Sequence, residues 1–205
     1  MLINLAELNT PNVYFTMTQT VLPRPIAWVL SENQNGSLNL APFSYFNAVC
    51  SDPPLVMISI GLQDDGSHKD TLRNALERPD LVIHIASSGQ LPDLNLSSAT
   101  LPPEVSEVEA GDLELSDVEN FHLPRLKDCK VAFMSHVHKI EQIGTNNQQH
   151  LVFAEIDSIY VSDDCVQYDN KNRLSILADQ IHPLSRLGAN AYASFGEVMI
   201  ARRPS

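Results

Sequence analysis

Positive charge is scarce in this sequence: 13 Lys and Arg stand against 25 Asp and Glu, a formal net charge of −12. Such a balance repels phosphate backbones, so nucleic acid is not an expected partner. Cysteine is scarce too. Cys50, Cys129 and Cys165 are odd in number and far apart, which fits neither a disulfide framework nor a CxxC metal or redox motif, and they read as reduced thiols. No apolar run nears the roughly 18 residues that a membrane span requires. The opening MLINLAELNTPN lacks the basic start and apolar stretch of a signal peptide, so a cytoplasmic protein without membrane contact is expected. GxGxxG, GxxxxGK[ST] and GxSxG are absent, which removes the usual sequence grounds for a Rossmann fold, a P-loop or a hydrolase elbow.

What is present suits a folded chain. Hydrophobic residues make up 43% and charged ones 19% of 205 residues, enough for one domain over residues 1–205 with a buried core. The segment Pro25–Leu30 (PIAWVL) reads as a buried strand. Asn35-Gly36 predicts a tight type I′ turn, with Leu38–Phe46 returning antiparallel. LVMISI (Leu55–Ile60) and LVIHIA (Leu81–Ala86) read as further strands, and Lys69–Glu77 between them as a short helix stopped by Pro79. Two long runs, Lys130–Ile143 and His150–Val161, turn into one another through Gly144–Gln149. Between Ser87 and Leu123 the composition shifts, with seven acids and no Lys or Arg from Glu104 to Glu119. That excursion is either a solvated acidic loop or a flap over a pocket. After His182 no run demands a strand. Strands and hairpins dominate, so the expected class is mainly β, an antiparallel barrel or sandwich with peripheral helices.

Two segments could carry chemistry. NLAPFSYFNAV (Asn39–Val49) holds Pro42, which central ladders expel, so a bend or an edge with free backbone groups is expected there. Its Asn39, Asn47, Phe43 and Phe46 would suit a planar heteroaromatic, although such aromatics also fill barrel cores. GSHKDT (Gly66–Thr71) opens the helix, where free N–H groups and Lys69 could seat a phosphate, although Asp70 or Thr71 could equally be an ordinary N-cap. His136 and His138 share a strand face, but no third ligand stands at a helpful spacing and no metal is expected.

PRPIAWV (Pro23–Val29), NLAPFSYFN (Asn39–Asn47), DPPL (Asp52–Leu55) and KDT (Lys69–Thr71) occur in the order seen in the flavin reductase-like family, which includes flavoredoxin. The chain resembles that family over nearly its whole length. Leu96–Gly111 resembles the family's variable excursion, and HPLSRLG (His182–Gly188) with Tyr192 its C-terminal motif. The resemblance implies an FMN-binding antiparallel split β-barrel with peripheral helices, forming a homodimer with flavin sites near the subunit interface. By position, Asn39, Leu40, Ala41, Pro42, Phe43, Ser44 and Asn47 would line the isoalloxazine and ribityl chain. Lys69, Asp70 and Thr71 would lie near the phosphate, with Arg24, Arg186 and Tyr192 as secondary candidates. Where the family often carries DH and then GEV, this chain has Gln149-His150 and Ala154-Glu155-Ile156, and His150 is the candidate catalytic residue on the nicotinamide side. The implied activity is an oxidoreductase passing electrons from NADH or NADPH through FMN to a soluble flavin or another small-molecule acceptor. The alternative is a flavin electron carrier serving a protein partner, with the acidic surface as its docking face.

Overall fold

A computed structural model of the chain describes residues 1–102 and 105–201, so Glu104, the first of the seven acids counted from Glu104 to Glu119, lies outside the described residues. Helix α1 (Thr10–Thr20) comes first. Asn9 caps it by accepting from the Asn12 N–H at 2.9 Å, and Pro11 stands in its first turn, where a missing N–H costs nothing. Seven of the strands that follow make up the main sheet: β1 (Ala27–Glu32), β2 (Leu38–Phe43), β3 (Phe46–Ser51), β4 (Pro54–Gly61), β5 (Asp80–Ile85), β6 (Val131–Ile143) and β7 (Gln149–Val161). They form one antiparallel sheet in the spatial order β2-β1-β5-β6-β7-β4-β3.

The two edge strands of this sheet, β2 and β3, are neighbours in the chain, joined by Ser44 and Tyr45 alone. A flat sheet of seven strands would hold its edges about 29 Å apart at 4.8 Å per step, whereas a two-residue link reaches only about 10 Å. The sheet therefore rolls until its edges approach. No ladder joins β2 to β3, so the roll is a split barrel.

Both faces of the rolled sheet are covered. Ala27, Val29, Val56, Ile58, Ile60, Ile83, Val152 and Ala154 fill the interior, with Leu72 and Ala75 of helix α2 (Asp70–Glu77) packed among them. Ile26, Trp28, Leu30, Leu40, Val82 and Met134 face outward, beneath Leu94 of helix α3 (Leu91–Leu96), Val108 of helix α4 (Glu107–Ala110) and Leu184. Burial on both faces is why PIAWVL is an unbroken apolar run rather than an alternating one.

Three local expectations are corrected. Asn35 keeps a negative φ while Gly36 takes +84°. With Gly36 N–H donating to Asn33 O (3.0 Å) and Asn33 N–H to Ser37 O (2.8 Å), the hairpin uses a three-residue loop with a glycine bulge rather than type I′. The strand expected over Leu38–Phe46 breaks at Ser44-Tyr45, because β2 and β3 belong to opposite edges. The tail does form strands: Ser185–Arg186 pairs with Arg24–Pro25 on one side and Tyr192–Ala193 on the other.

His84 on β5 is fully buried between the sheet and the chain leading into β6. Leu126 N–H can only donate, so His84 Nε2 accepts from it (2.9 Å) and the proton sits on Nδ1, which donates to Trp28 O (3.0 Å). Burial lowers its pKa to about 4. The unfolded chain, with an ordinary imidazole, binds this proton below about pH 6.5 and the folded chain does not. Stability is therefore full above that pH and is lost as pH falls toward 4, by up to about 1.4 kcal/mol per pH unit from this group. Urea midpoints between pH 7 and 4.5 should show a shallower acid slope in His84→Gln; parallel slopes would remove His84 as the cause.

Candidate functional site

The split leaves β2 as an exposed edge, and Pro42 within it has no N–H to offer a ladder partner. Along this edge runs a cleft of two joined chambers, about 500 and 610 Å³ in volume. Pro42, Phe43, Leu62, Lys69 and Ser98 belong to both. The first chamber is closed by Tyr14 of α1, the Ser44-Tyr45 link, Gln149 and the tail residues Arg186, Asn190 and Tyr192. The second is lined by Asn39, Ala41, Asp64, Asp65, Thr71 and the Ser97–Leu101 stretch after α3.

Part of the acidic excursion thus walls the cleft, and two side chains fasten it to the edge strand. Ser106 Oγ donates to Leu38 O (2.6 Å), and Glu107 Oε2 accepts from the Leu40 N–H (2.9 Å). These bonds satisfy backbone groups that an edge strand otherwise leaves open. Glu107 is only 7% exposed, and burial pushes its carboxyl up, opposed by the Leu40 N–H.

Lys69 precedes α2 and is exposed, and its side chain makes no hydrogen bond or ion pair among the described residues. The N–H groups of the first turn of α2 lack intrahelical partners, so positive potential is concentrated there. Asp70 instead turns to Arg73 one turn on, with one carboxylate oxygen buried and lacking hydrogen-bond geometry.

The remaining residues singled out from sequence divide by position. Ala41, Pro42, Phe43, Ser44, Lys69, Asp70, Arg186 and Tyr192 line the cleft. Asn39 and Thr71 also reach its wall, but their side chains bond each other: Asn39 Nδ2 donates to Thr71 Oγ1 (2.9 Å) and to Ser31 Oγ (3.0 Å). Asn74 extends the cluster, donating to Ser31 Oγ (3.1 Å) and Asn33 Oδ1 (2.9 Å). Leu40 points its side chain into the outer core. Arg24 is buried behind the cleft, where its guanidinium donates to the carbonyls of Thr18, Val21 (2.8 Å) and Leu187 (2.7 Å) and to Ser44 Oγ (3.3 Å). It pins α1, the tail and the edge link to one another. Asn47 is exposed on β3, its amide oxygen accepting from Ala48 N–H (3.0 Å), away from the lining.

His150 requires a correction. Adjacent strand residues face opposite ways, so Gln149 lines the first chamber while His150 is buried on the interior side with Val152 and Ala154. Its ring meets the edge of His68 at 5.3 Å, and Nε2 lies 3.1 Å from Gln142 Nε2. Burial, then the nearby His68, lowers its pKa. A role on the cleft side is not supported by this placement. His136 and His138 find acids across the strand pair, Asp157 at 3.0 Å and Glu155 at 2.9 Å. Among the described residues no group of three or more His, Cys, Asp or Glu is arranged to hold a metal. Tyr14, Tyr45, Asn95, Gln149, Asn190 and Glu107 were not singled out as cleft residues from sequence, and only the alternation at Gln149-His150 carried a usable signal.

A family model for the flavin reductase like domain matches residues 17–176. The chain belongs to that family. Among its relatives is an uncharacterised protein of Bacillus subtilis, 35% identical over 97% of each chain. Nitrilotriacetate monooxygenase component B from Bacillus cereus superposes with a TM-score of 0.89, at 31% identity and 98% coverage of both chains. The 2-nitrobenzoate 2-nitroreductase of Pseudomonas fluorescens follows with a TM-score of 0.87, 30% identity and coverage of 100% of this chain and 97% of the other. In this flavin reductase fold, the Asn39 cluster fixes α2 against the split edge. Asn39→Ala should lower the stability of the flavin-free protein by about 1–3 kcal/mol, because Ser31 and Thr71 lose their buried partner. Urea denaturation measures it, and unchanged stability would free the Asn39 amide for a ligand role.

Proposed function

We propose that the cleft binds FMN and that the chain is an oxidoreductase taking electrons from NADH or NADPH and delivering them to a flavin or another small molecule. The observation that carries this reading is Lys69, a cation whose side chain has no partner among the described residues, standing at the free start of α2 between the two chambers. A phosphate there meets a full charge and the positive end of a helix. The backbone edge at Ala41–Ser44 and the Phe43 side chain offer a planar ring both hydrogen-bonding groups and an apolar wall. Membership of the flavin reductase like family supports flavin as the group held.

Bound flavin supplies hydride and electron transfer at its ring. The protein's part is to hold and shield. Lys69 neutralises the phosphate, Ser44 stays oriented by Arg24, and Gln149 and Ser59, bonded at 3.2 Å, form the floor opposite. The excursion residues Asn95 and Ser98 limit water on the open side. None of these tasks requires an acid or base from the chain, which agrees with the interior position of His150.

In this reading residues 1–205 act as one cytoplasmic unit, paired as a homodimer. Tyr14, Phe15 and Met17 of α1, with Val21 and Leu22 after it, are exposed, and so is every residue of β3 from Asn47 to Ser51. Exposed apolar side chains on and just after α1, whose Tyr14 ring stands 6.3 Å from that of Tyr45 next to the edge strand β3, suit a second copy, which would also cover the cleft at Tyr14. No described helix is long and apolar enough to cross a membrane.

Purified protein should show a flavin absorbance band that bleaches anaerobically on adding NADH or NADPH; a loaded protein that stays oxidised with both would exclude the nicotinamide step. Lys69→Ala should weaken FMN binding by about 1.5–3 kcal/mol, roughly ten- to a hundredfold, read by fluorescence quenching. Unchanged affinity would place the phosphate elsewhere.

A further inference from the structure

Two cations line the cleft, Lys69 and Arg186, and neither has a carboxylate within ion-pair distance among the described residues. In a chain with 25 acidic and 13 basic residues, two unneutralised cations in one cleft imply two anionic groups to receive. FMN as proposed above accounts for one, at Lys69. Arg186 is left for the other.

Arg186 is held rigidly. Its strand pairs on both sides, with Arg24 and with Tyr192 opposite it. The guanidinium lies 4.3 Å from the centre of the Tyr192 ring, and Nη2 donates to Ala189 O. A stacked, tethered guanidinium loses little freedom on binding and still offers a planar fork that matches a carboxylate.

The surroundings narrow the class of anion. The chamber of Arg186 contains Tyr14, Phe43, Tyr45 and Tyr192 with the amides of Asn95, Gln149 and Asn190, and among the described residues no carboxylate lines it. The acids of the cleft, Asp64, Asp65, Asp70 and Glu107, all belong to the other chamber. A dinucleotide phosphate is expected where backbone N–H groups converge at a helix start, whereas Arg186 stands on a strand among aromatic rings. At about 500 Å³ the chamber has room for a flavin ring and one further six-membered ring.

We propose that this chamber takes a planar aromatic carboxylate beside the flavin, with Arg186 pairing the carboxylate and Tyr14 and Tyr45 flanking the ring. The assignment rests on the FMN reading for the use of Lys69, and Arg186 acts as an orienting and selecting residue for the electron acceptor.

Benzoate and its neutral analogue benzamide test it, titrated by calorimetry into the protein before and after FMN loading. Benzoate should bind the loaded protein about tenfold or more tightly than benzamide, as expected for a bidentate charged pair. Arg186→Gln should erase that preference and leave FMN affinity unchanged. Equal binding of the two probes overturns the proposal. So does a fall in FMN affinity in Arg186→Gln, which would assign Arg186 to the flavin, or a rise in KM for NADH or NADPH with benzoate binding intact, which would assign it to the dinucleotide. If FMN fails to bind while the benzoate preference and its dependence on Arg186 persist, the flavin reading falls and the anion site stands.

Discussion

The link of Ser44 and Tyr45 constrains everything else in this molecule. Because two residues must carry the chain from one edge of a seven-stranded sheet to the other, the sheet has no flat alternative, and its two edges meet without pairing. Unpaired edges are a liability in most β proteins. Here the opening is divided among uses: Ser106, the cap of α4, and Glu107 within it satisfy the Leu38 and Leu40 end of β2, Pro42 removes a donor in its middle, and the Ala41–Ser44 stretch faces the cleft. The same link bonds inward, Tyr45 O accepting from Ser59 N–H at 2.8 Å, so the cleft wall is fixed to the barrel rather than free to swing.

Rolling the sheet leaves an interior that needs a plug, and α2 supplies it. Its apolar side enters the barrel through Leu72 and Ala75, while Thr71 and Asn74 meet Asn39, Ser31 and Asn33 in a buried hydrogen-bonded cluster. Apolar packing alone would tolerate small rotations of a helix. Directional bonds in a low dielectric do not, since each broken partner leaves a desolvated polar group. The cluster therefore sets the direction of α2 and with it the place of Lys69. Asn39 and Thr71, which the family resemblance put at the ligand, hold the scaffold on which the ligand site stands.

Much of the architecture was legible because it is local or periodic. Strands buried on both faces announced themselves as apolar runs at PIAWVL and LVIHIA, and Pro42 marked an edge. Membership of the flavin reductase like family was legible in motif order. What was not legible depends on partners distant in sequence. Helix α1 buries only Thr18 and shows almost no amphipathic stripe, so hydrophobic periodicity does not mark it as a helix. The short tail strands exist because Arg24 ties Leu187 to the end of α1 across the chain. His150 drew attention as a titratable residue near a family motif, but strand alternation gives the cleft to Gln149, and register cannot be read from a motif alone. The acids that meet His136 and His138 come from the opposite strand, at spacings that no linear pattern displays.

The distribution of charge carries the last step. A net charge of −12 sets up a field that repels anionic ligands at long range, yet the cleft presents two cations with no carboxylate in ion-pair distance among the described residues. The two effects act over different distances. Salt screens the global field beyond roughly 8–10 Å, whereas a contact pair in a partly desolvated cleft is screened much less. The acidic surface thus governs solubility and encounter, and in the proposed reading short-range pairs at Lys69 and Arg186 govern what stays bound. Separating the acids of the second chamber from the aromatic first chamber sharpens that division, because among the described residues no carboxylate stands close enough to pair with Arg186 and compete with an incoming anion. Were Asp64 or Glu107 in its chamber, the guanidinium would pair with it, and of the two cations Lys69 alone would stay available to an anion.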